Sequence, residues 1–217
     1  MDDFSTIKMK INKKNLSKIK EIKVLRLKKN IGSQKAIALG LHYLNKKKNY
    51  KFITIMDGDG EDDPLQIKKM LKMANKNKNH VIVSCRIDRK ENLFIKFAYK
   101  VHLLITATLT GHWISFGNFS CFYIKNLKKI LSNTSIWHAY SASLIKNTNI
   151  KRTYATRSKR FYGKTKVNLF FLVGHSLRII GVFYSRVFFS SLLYTILIYI
   201  LLNKYNLIFY SLILMIN

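Results

Sequence analysis

Apolar positions along the first 123 residues follow two different periods. Four short runs, rich in β-branched or aromatic residues or alternating in polarity, predict strands: residues 22–27, 52–56, 81–84 and 116–123. Two stretches in which apolar positions recur every three or four residues predict helices at 34–46 and 65–75. Strands and helices therefore alternate along the chain, which predicts an α/β fold with an open, mostly parallel sheet and helices on both faces.

The later apolar segments are longer. Residues 93–109 predict a long helix, which fits either an amphipathic helix in the plane of a membrane interface or a core helix. Residues 187–202 carry no charge, and a spanning helix needs about 20 apolar residues. We expect a membrane helix at about 182–202, a turn at 203–206 and a second, partial helix at 207–217. The alternative is a buried hairpin of core helices.

This pattern predicts one α/β domain over residues 1–180 and a membrane segment over residues 181–217. The net charge of +29 indicates an anionic partner, such as nucleic acid, an anionic membrane surface or a phosphorylated substrate. Most of the excess is lysine scattered among asparagine and isoleucine, a bias that an AT-rich genome also produces. The basic domain precedes the membrane helix, so we expect an inner (cytoplasmic) membrane location with this domain in the cytoplasm. Cys85 and Cys121 predict buried, reduced thiols.

The strand at 52–56 runs into an acidic loop that the only proline, Pro64, closes. The loop holds five of the ten acidic residues, namely Asp57, Asp59, Glu61, Asp62 and Asp63. Asp57 and Asp59 would project from one side of an extended chain, at the strand end where open α/β sheets bind ligands. A divalent cation shared with a substrate diphosphate would offset their repulsion. A turn in which Asp62 or Asp63 caps the next helix explains the same residues equally well.

Six short motifs then follow one another in chain order. They are Asp2-Asp3-Phe4-Ser5-Thr6, Asn30-Ile31-Gly32 with Ala36 and Gly40, the loop at 56–64, Arg86 with Arg89, Gly117-Asn118-Phe119, and residues 160–166. Together they resemble glycosyltransferase family 2, and within it the polyprenyl-phosphate type, similar to dolichol-phosphate mannose synthases and bacterial polyprenyl-phosphate glucosyltransferases. The resemblance covers residues 2 to about 185. It implies that residues 1–180 are a catalytic domain with a GT-A-like fold, that of nucleotide-diphospho-sugar transferases.

The resemblance implies an inverting transferase that moves a sugar from a nucleotide-diphosphate sugar to a polyprenyl phosphate, undecaprenyl or dolichyl, for a cell-envelope polysaccharide. It implies Mg²⁺ or Mn²⁺ as cofactor and the lipid bilayer as a partner; a homo-oligomer is left open, and no nucleic acid is expected. The implied catalytic residues are Asp59, Asn118, Arg160 and Lys166, with Asp59 and Asp57 as metal ligands. The implied nucleotide-sugar-binding residues are Asp2, Asp3, Asn30, Gly32, Asp57 and Arg86. The implied ligands of the acceptor phosphate are Arg157, Arg160 and Lys166.

The chain departs from the family's pattern in three places. The family's first strand, with its P-x-Y-N-E run, is missing, so we expect an N-terminal truncation. Gly58 and Gly60 replace bulkier residues and loosen the acidic loop. Asn118 stands where the family has aspartate, and an asparagine cannot act as a general base.

Asn118 favours either an enzyme with a phosphate acceptor or a protein without catalytic activity. A phosphate monoester has a second pKa of about 6, so a lipid phosphate is already an ionised nucleophile at neutral pH and needs no base. The alternative is a catalytically inactive, membrane-anchored remnant that binds lipid or a protein partner. A nucleic-acid-binding module rests on charge alone, and the apolar C-terminal segment argues against it.

Overall fold

The computed structural model describes residues 1–5, 19–47, 50–86, 93–156, 158 and 169–216. The chain forms two compact units. The sheet unit comprises Met1–Lys90 and Ser115–Thr165, and the helical unit comprises Glu91–Ile114 and Lys166–Asn217. The predicted division into a catalytic domain at 1–180 and a membrane segment at 181–217 stays a prediction.

The sheet unit contains a four-stranded sheet within the described residues. Its strands are β1 (Phe52–Ile55), β2 (His80–Arg86), β3 (Phe116–Tyr123) and β4 (Asn149–Ala155), in the spatial order β1-β3-β2-β4. Strand β3 lies between β1 and β2 and is antiparallel to both, whereas β2 and β4 pair in parallel. The sheet is therefore mixed, and the prediction of a mostly parallel sheet is wrong for its pairings.

The helix between β2 and β3 explains this difference. A parallel neighbour of β2 requires a crossover helix that packs back on the sheet. The helix that follows β2 instead belongs to the helical unit, and β3 returns antiparallel to β2.

The predicted strand at 22–27 and the actual strand β4 are the two errors in strand assignment. Residues 22–27 form only an isolated bridge, between Asp2 and Arg26, and Ile22 and Val24 are exposed, so their alternation has no buried face. Strand β4 was not predicted because one of its faces carries the exposed residues Arg152 and Tyr154. Its opposite face buries only small residues such as Thr153 and Ala155, so its sequence lacks a hydrophobic run.

Four helices accompany the sheet in the described part of this unit: α1 (Ser33–Lys47), α2 (Gln66–Lys76), α4 (Leu127–Leu131) and α5 (Tyr140–Asn147). Helices α1 and α2 confirm the periodic stretches to within one residue at each end. Helix α2 packs Met70 and Ala74 against Ile82, Phe119 and Cys121 of the sheet. Both cysteines are free and buried, as predicted.

Three helices form the described part of the helical unit: α3 (Leu93–Thr110), α6 (Leu169–Val182) and α7 (Tyr184–Ile216). Helix α3 confirms the prediction at 93–109 and packs against both α6 and α7. Several of its large apolar side chains are exposed: Leu93, Phe94, Phe97, Leu104 and Ile105.

Helix α7 is continuous, so the predicted turn at 203–206 is wrong. The segment Asn-Lys-Tyr-Asn contains no glycine or proline, and its residues cost a helix little in propensity. Among the described residues, one helical stretch, Tyr184–Tyr205, is long and apolar enough to cross a membrane, and none of its most apolar part is buried within the protein.

Candidate functional site

The acidic loop folds back on itself directly after β1. The backbone N–H of Asp57 donates to Oδ2 of Asp62 at 2.9 Å, and the N–H of Glu61 donates to Oδ1 of Asp59 at 3.1 Å. Gly60 has a φ of +88°, a left-handed conformation that favours glycine. The carboxylates of Asp59 and Asp62 thus fix the loop backbone.

Asp62 is the buried member of this loop, with 7% of its surface exposed. Burial raises the pKa of its carboxyl group above the ordinary value, and the hydrogen bond from the Asp57 N–H opposes that rise. The charges of Asp57 and Asp59 raise its pKa further, whereas the charge of Arg86 lowers it. Three carboxylates and one guanidinium therefore act on each other at the end of β1, and an added cation would relieve the excess negative charge.

The other acid at the start of α2 has a separate role. Oδ1 of Asp63 accepts the N–H of Leu65 at 2.9 Å, just before α2 begins at Gln66. The N-cap of α2 is Leu65, which makes no side-chain cap hydrogen bond, so the prediction that Asp62 or Asp63 caps this helix is wrong. Asp63 instead holds the turn before the N-cap, and Asp62 turns toward Asp57.

Strand register brings Asn118 to Asp57. Ile55 of β1 lies opposite Ser120 of β3. Because the two strands are antiparallel, the same register places Asp57, two residues after Ile55, opposite Asn118, two residues before Ser120. Nδ2 of Asn118 donates to Oδ1 of Asp57 at 3.1 Å. The structure therefore brings together two of the predicted site residues from sequence positions 61 apart.

Asn118 also receives a hydrogen bond from α1. Nε2 of Gln34 donates to Oδ1 of Asn118 at 3.3 Å, and Oε1 of Gln34 accepts the backbone N–H of Tyr140 at 2.6 Å. Gln34 and Tyr140 were missed by sequence reasoning. No local spacing could have found them, because Gln34 lies 84 residues from Asn118 and 106 from Tyr140.

Arg86 lies at the carboxyl end of β2, beside a cleft. The cleft is lined in part by Glu61, Asp62, Ser84, Arg86 and Gly117. A Cβ added to Gly117 would lie 3.5 Å from Nη2 of Arg86, so the guanidinium group packs closely over the glycine backbone. The cleft therefore offers a guanidinium fork next to carboxylates, and such forks suit phosphate oxygens.

The N-terminal motif holds the turn before α1. Oδ1 and Oδ2 of Asp3 accept the backbone N–H groups of Ile31 and Gly32, each at 2.8 Å, and Oδ1 of Asn30 also accepts the Gly32 N–H at 3.2 Å. Gly32 has a φ of +88°. These contacts support the turn, and the predicted binding of nucleotide by Asp3, Asn30 and Gly32 stays a prediction.

Asp2 lies beside this turn and is buried. It accepts the Ser5 N–H at 2.9 Å and pairs with Nε of Arg26 at 3.5 Å. The hydrogen bonds from Ser5, followed by the charge of Arg26, lower the pKa of Asp2. Its predicted contact with the nucleotide also stays a prediction.

The remaining predicted site residues lie outside the described residues. They are Arg157, Arg160 and Lys166. Their predicted contacts with phosphate stay predictions.

The oxygen donors of the acidic loop determine which metal would fit. Within the described ranges, no group of three or more His, Cys, Asp or Glu side chains converges on one point. Magnesium is commonly bound through one or two carboxylates and the substrate's phosphates. The two carboxylates of Asp57 and Asp59 have the chemistry for a divalent cation shared with a diphosphate, and their predicted metal binding stays a prediction.

The fold and the candidate site together define an α/β protein with carboxylates, an amide and a guanidinium group at the ends of its strands. A family model described as glycosyl transferase family 2 matches residues 1–167. The chain therefore belongs to glycosyl transferase family 2, as the sequence motifs predicted. The family implies a GT-A fold, a nucleotide-sugar donor and an acceptor, and its enzymes commonly use divalent metals. No curated protein matches the chain individually.

Proposed function

We propose that this chain is a membrane-anchored, inverting glycosyltransferase that moves a sugar from a nucleotide-diphosphate sugar to a polyprenyl phosphate. The hydrogen bond from Asn118 Nδ2 to Asp57 Oδ1 is the observation that carries the choice of acceptor. It shows Asn118 as a donor to a carboxylate at the candidate site. An amide in this position can orient Asp57 but cannot take a proton from an acceptor hydroxyl.

The acceptor must therefore be nucleophilic without transferring a proton to residue 118. A phosphate monoester meets this condition, because its second pKa of about 6 leaves it largely ionised at neutral pH. An alcohol acceptor would have to lose a proton during the reaction. Of the acceptors that a glycosyltransferase can use, this chemistry favours a phosphate over an alcohol.

The residues of the site have distinct proposed roles. Asp57 and Asp59 would hold a divalent cation, which when bound supplies positive charge to the donor diphosphate. Arg86 would bind a diphosphate oxygen, and Arg157, Arg160 and Lys166 would bind the acceptor phosphate. An acceptor oxygen attacks the anomeric carbon opposite the leaving nucleoside diphosphate, whose oxygen keeps the electrons of the broken bond. The configuration is inverted.

Two features of the helical unit support the membrane anchor. The stretch Tyr184–Tyr205 has the length and composition of a spanning helix. Helix α3 exposes large apolar side chains, such as Phe94, Phe97 and Leu104, which favours an amphipathic interface helix over a core helix. A polyprenyl phosphate carries its reactive phosphate at the membrane surface, so an anchored enzyme would meet it there.

A paired-acceptor assay tests this function. Membranes containing the chain are incubated with radiolabelled nucleotide sugars, Mg²⁺ or Mn²⁺, and either undecaprenyl phosphate or undecaprenol. We expect metal-dependent label in the lipid phase with the phosphate only, and none with an Asp59→Ala variant at equal abundance. Label transferred equally well to undecaprenol would contradict the proposed acceptor. Absence of label with every donor would favour the inactive remnant.

A further inference from the structure

The amide of Gln34 has an orientation that the protein backbone determines. The N–H of Tyr140 can only donate, so the Gln34 atom 2.6 Å from it must be the acceptor Oε1. The other end of this amide, Nε2, therefore faces Asn118 as a donor, at 3.3 Å from Oδ1. Side-chain amide orientations are usually assigned rather than observed, but here a backbone group fixes the choice.

The same reasoning applies one step further along. Because Oδ1 of Asn118 faces the Gln34 donor, its Nδ2 must face Asp57, where it donates to Oδ1 at 3.1 Å. The hydrogen bonds thus run in one direction from Tyr140 through Gln34 and Asn118 to Asp57. We call this series the amide relay.

The relay starts from a well-fixed group. Tyr140 is the first residue of α5, so its N–H is one of the donors that a helix start leaves without an intrahelical partner. The Tyr140 side chain is fully buried, and its hydroxyl lies 2.8 Å from Oγ of Ser120. Ser120 in turn donates to the carbonyl oxygen of Asn118 at 3.1 Å. Tyr140, at one end of the relay, and Asp57, at the other, are therefore each hydrogen-bonded to a residue of β3.

We propose that Gln34 is a positioning residue, which holds the Asn118 amide so that its N–H, and not its oxygen, faces Asp57. The reversed amide would direct oxygen lone pairs at a carboxylate, and Asp57 would turn away. Gln34 contacts no substrate in this role. The proposal rests on the proposed function, because it assigns Gln34 to the orientation of a carboxylate that binds a divalent cation with a diphosphate.

Two substitutions separate orientation from structural support. Gln34→Glu keeps an acceptor for the Tyr140 N–H but replaces the donor toward Asn118 with an acceptor, so the Asn118 amide must reverse. Gln34→Leu removes both groups and leaves the Tyr140 N–H without its partner, while Asn118 keeps its freedom to donate to Asp57. Gln66→Glu, at the other glutamine of the chain, is the matched control, since it adds the same charge at the start of α2.

The measurement is Mn²⁺ binding by electron paramagnetic resonance, with inorganic pyrophosphate present, on the full chain in lipid nanodiscs. Thermal unfolding is measured on the same samples. We expect the Mn²⁺ Kd to rise about tenfold in Gln34→Glu, which is the lower end of the range for lost supporting contacts to metal ligands, and to rise less in Gln34→Leu. Stability should follow the opposite order, with Gln34→Leu the less stable variant. Gln66→Glu should bind Mn²⁺ like the wild type.

The outcomes distinguish the two proposals. If the variant with the lower stability also has the lower Mn²⁺ affinity, Gln34 has only a structural role and the positioning role is overturned. Tighter Mn²⁺ binding by Gln34→Glu would show that added charge dominates, and it would overturn the role as well. In both cases the wild type still binds Mn²⁺ and pyrophosphate, so the proposed function stands. A wild type that binds neither overturns the metal-dependent function and the positioning role together.

Discussion

The backbone N–H of Asp57 donates to the side chain of Asp62 at 2.9 Å, so one acid of the loop holds the backbone of another. Asp62 is buried, and its carboxylate lies among the charges of Asp57 and Asp59. The loop therefore carries an electrostatic cost at neutral pH, which is the condition under which a bound cation stabilises it most.

This cost predicts a pH-dependent effect of Asp62→Asn on stability. Burial raises the pKa of Asp62 in the folded state, so its favourable contribution is fully present below the unfolded-state pKa of about 3.9 and is lost as pH rises through the folded pKa. The asparagine keeps an oxygen for the Asp57 N–H and carries no charge. Without added metal, we expect the variant to unfold at a higher temperature than the wild type at pH 7, with the difference shrinking toward pH 4.

Asp63→Asn is the control for that experiment. It neutralises a neighbouring acid and keeps an acceptor for the Leu65 N–H. An equal rise in unfolding temperature for Asp62→Asn at every pH would show that its effect does not come from titration of residue 62.

Asp59→Ala should abolish metal-dependent turnover. The loss of a group that stabilises charge in a transition state typically costs about 10²–10³ in rate. We expect at least such a loss in kcat, with unchanged membrane association, measured by sugar transfer and by sedimentation of membranes. Asp63→Asn, in the same loop, should retain most activity. Turnover by Asp59→Ala at the wild-type rate would remove Asp59 from the metal site.

Gly32→Ala should destabilise the sheet unit more than Gly58→Ala. Gly32 has a φ of +88°, and a left-handed conformation costs a residue with a Cβ about 1–2 kcal/mol. A Cβ at Gly58 meets nothing within 4 Å, and its φ is not positive. Urea unfolding of both variants measures the difference. Equal free energies of unfolding would show that the turn before α1 tolerates a side chain.

Tyr140→Phe should lower stability without changing metal binding. The substitution removes the buried hydroxyl beside Ser120, a loss of about 1 kcal/mol, but keeps the backbone N–H that Gln34 accepts. A double-mutant cycle with Ser120→Ala measures the coupling between the two hydroxyls. A weaker Mn²⁺ affinity in Tyr140→Phe would mean that the hydroxyl, and not the backbone group, orients the amide relay.

The hydrophobic pattern predicted those elements whose sequences carry a hydrophobic run or a regular hydrophobic period. Strands β1, β2 and β3 and helices α1, α2 and α3 all appear where their period indicated. Strand β4 was not predicted because one face carries the exposed residues Arg152 and Tyr154, and the buried residues of the other face are small. The sheet order could not be read from the sequence, because a period of two reveals a strand's faces but neither its neighbour nor its direction.

The candidate site was predictable only in its parts. The D-x-D pattern identified Asp57 and Asp59, and motif resemblance identified Asn118. Their contact depends on the antiparallel register of β1 and β3, which contradicts the predicted sheet. Gln34 carries no chemical signature, and its role arises from the start of α5, where an unpaired N–H needs an acceptor.

Asp3 links the N-terminal residues to the turn that precedes α1. Its carboxylate holds Ile31 and Gly32, and α1 begins at the next position, one residue before Gln34. The conformational entropy of this turn is therefore lost during folding and not during ligand binding, because the turn is already ordered before the proposed diphosphate binds. Without Asp3, Gln34 would have more conformations available before a ligand binds. Each binding event would then have to order Gln34, and this entropic cost would weaken binding at the site even though Asp3 lies outside the amide relay.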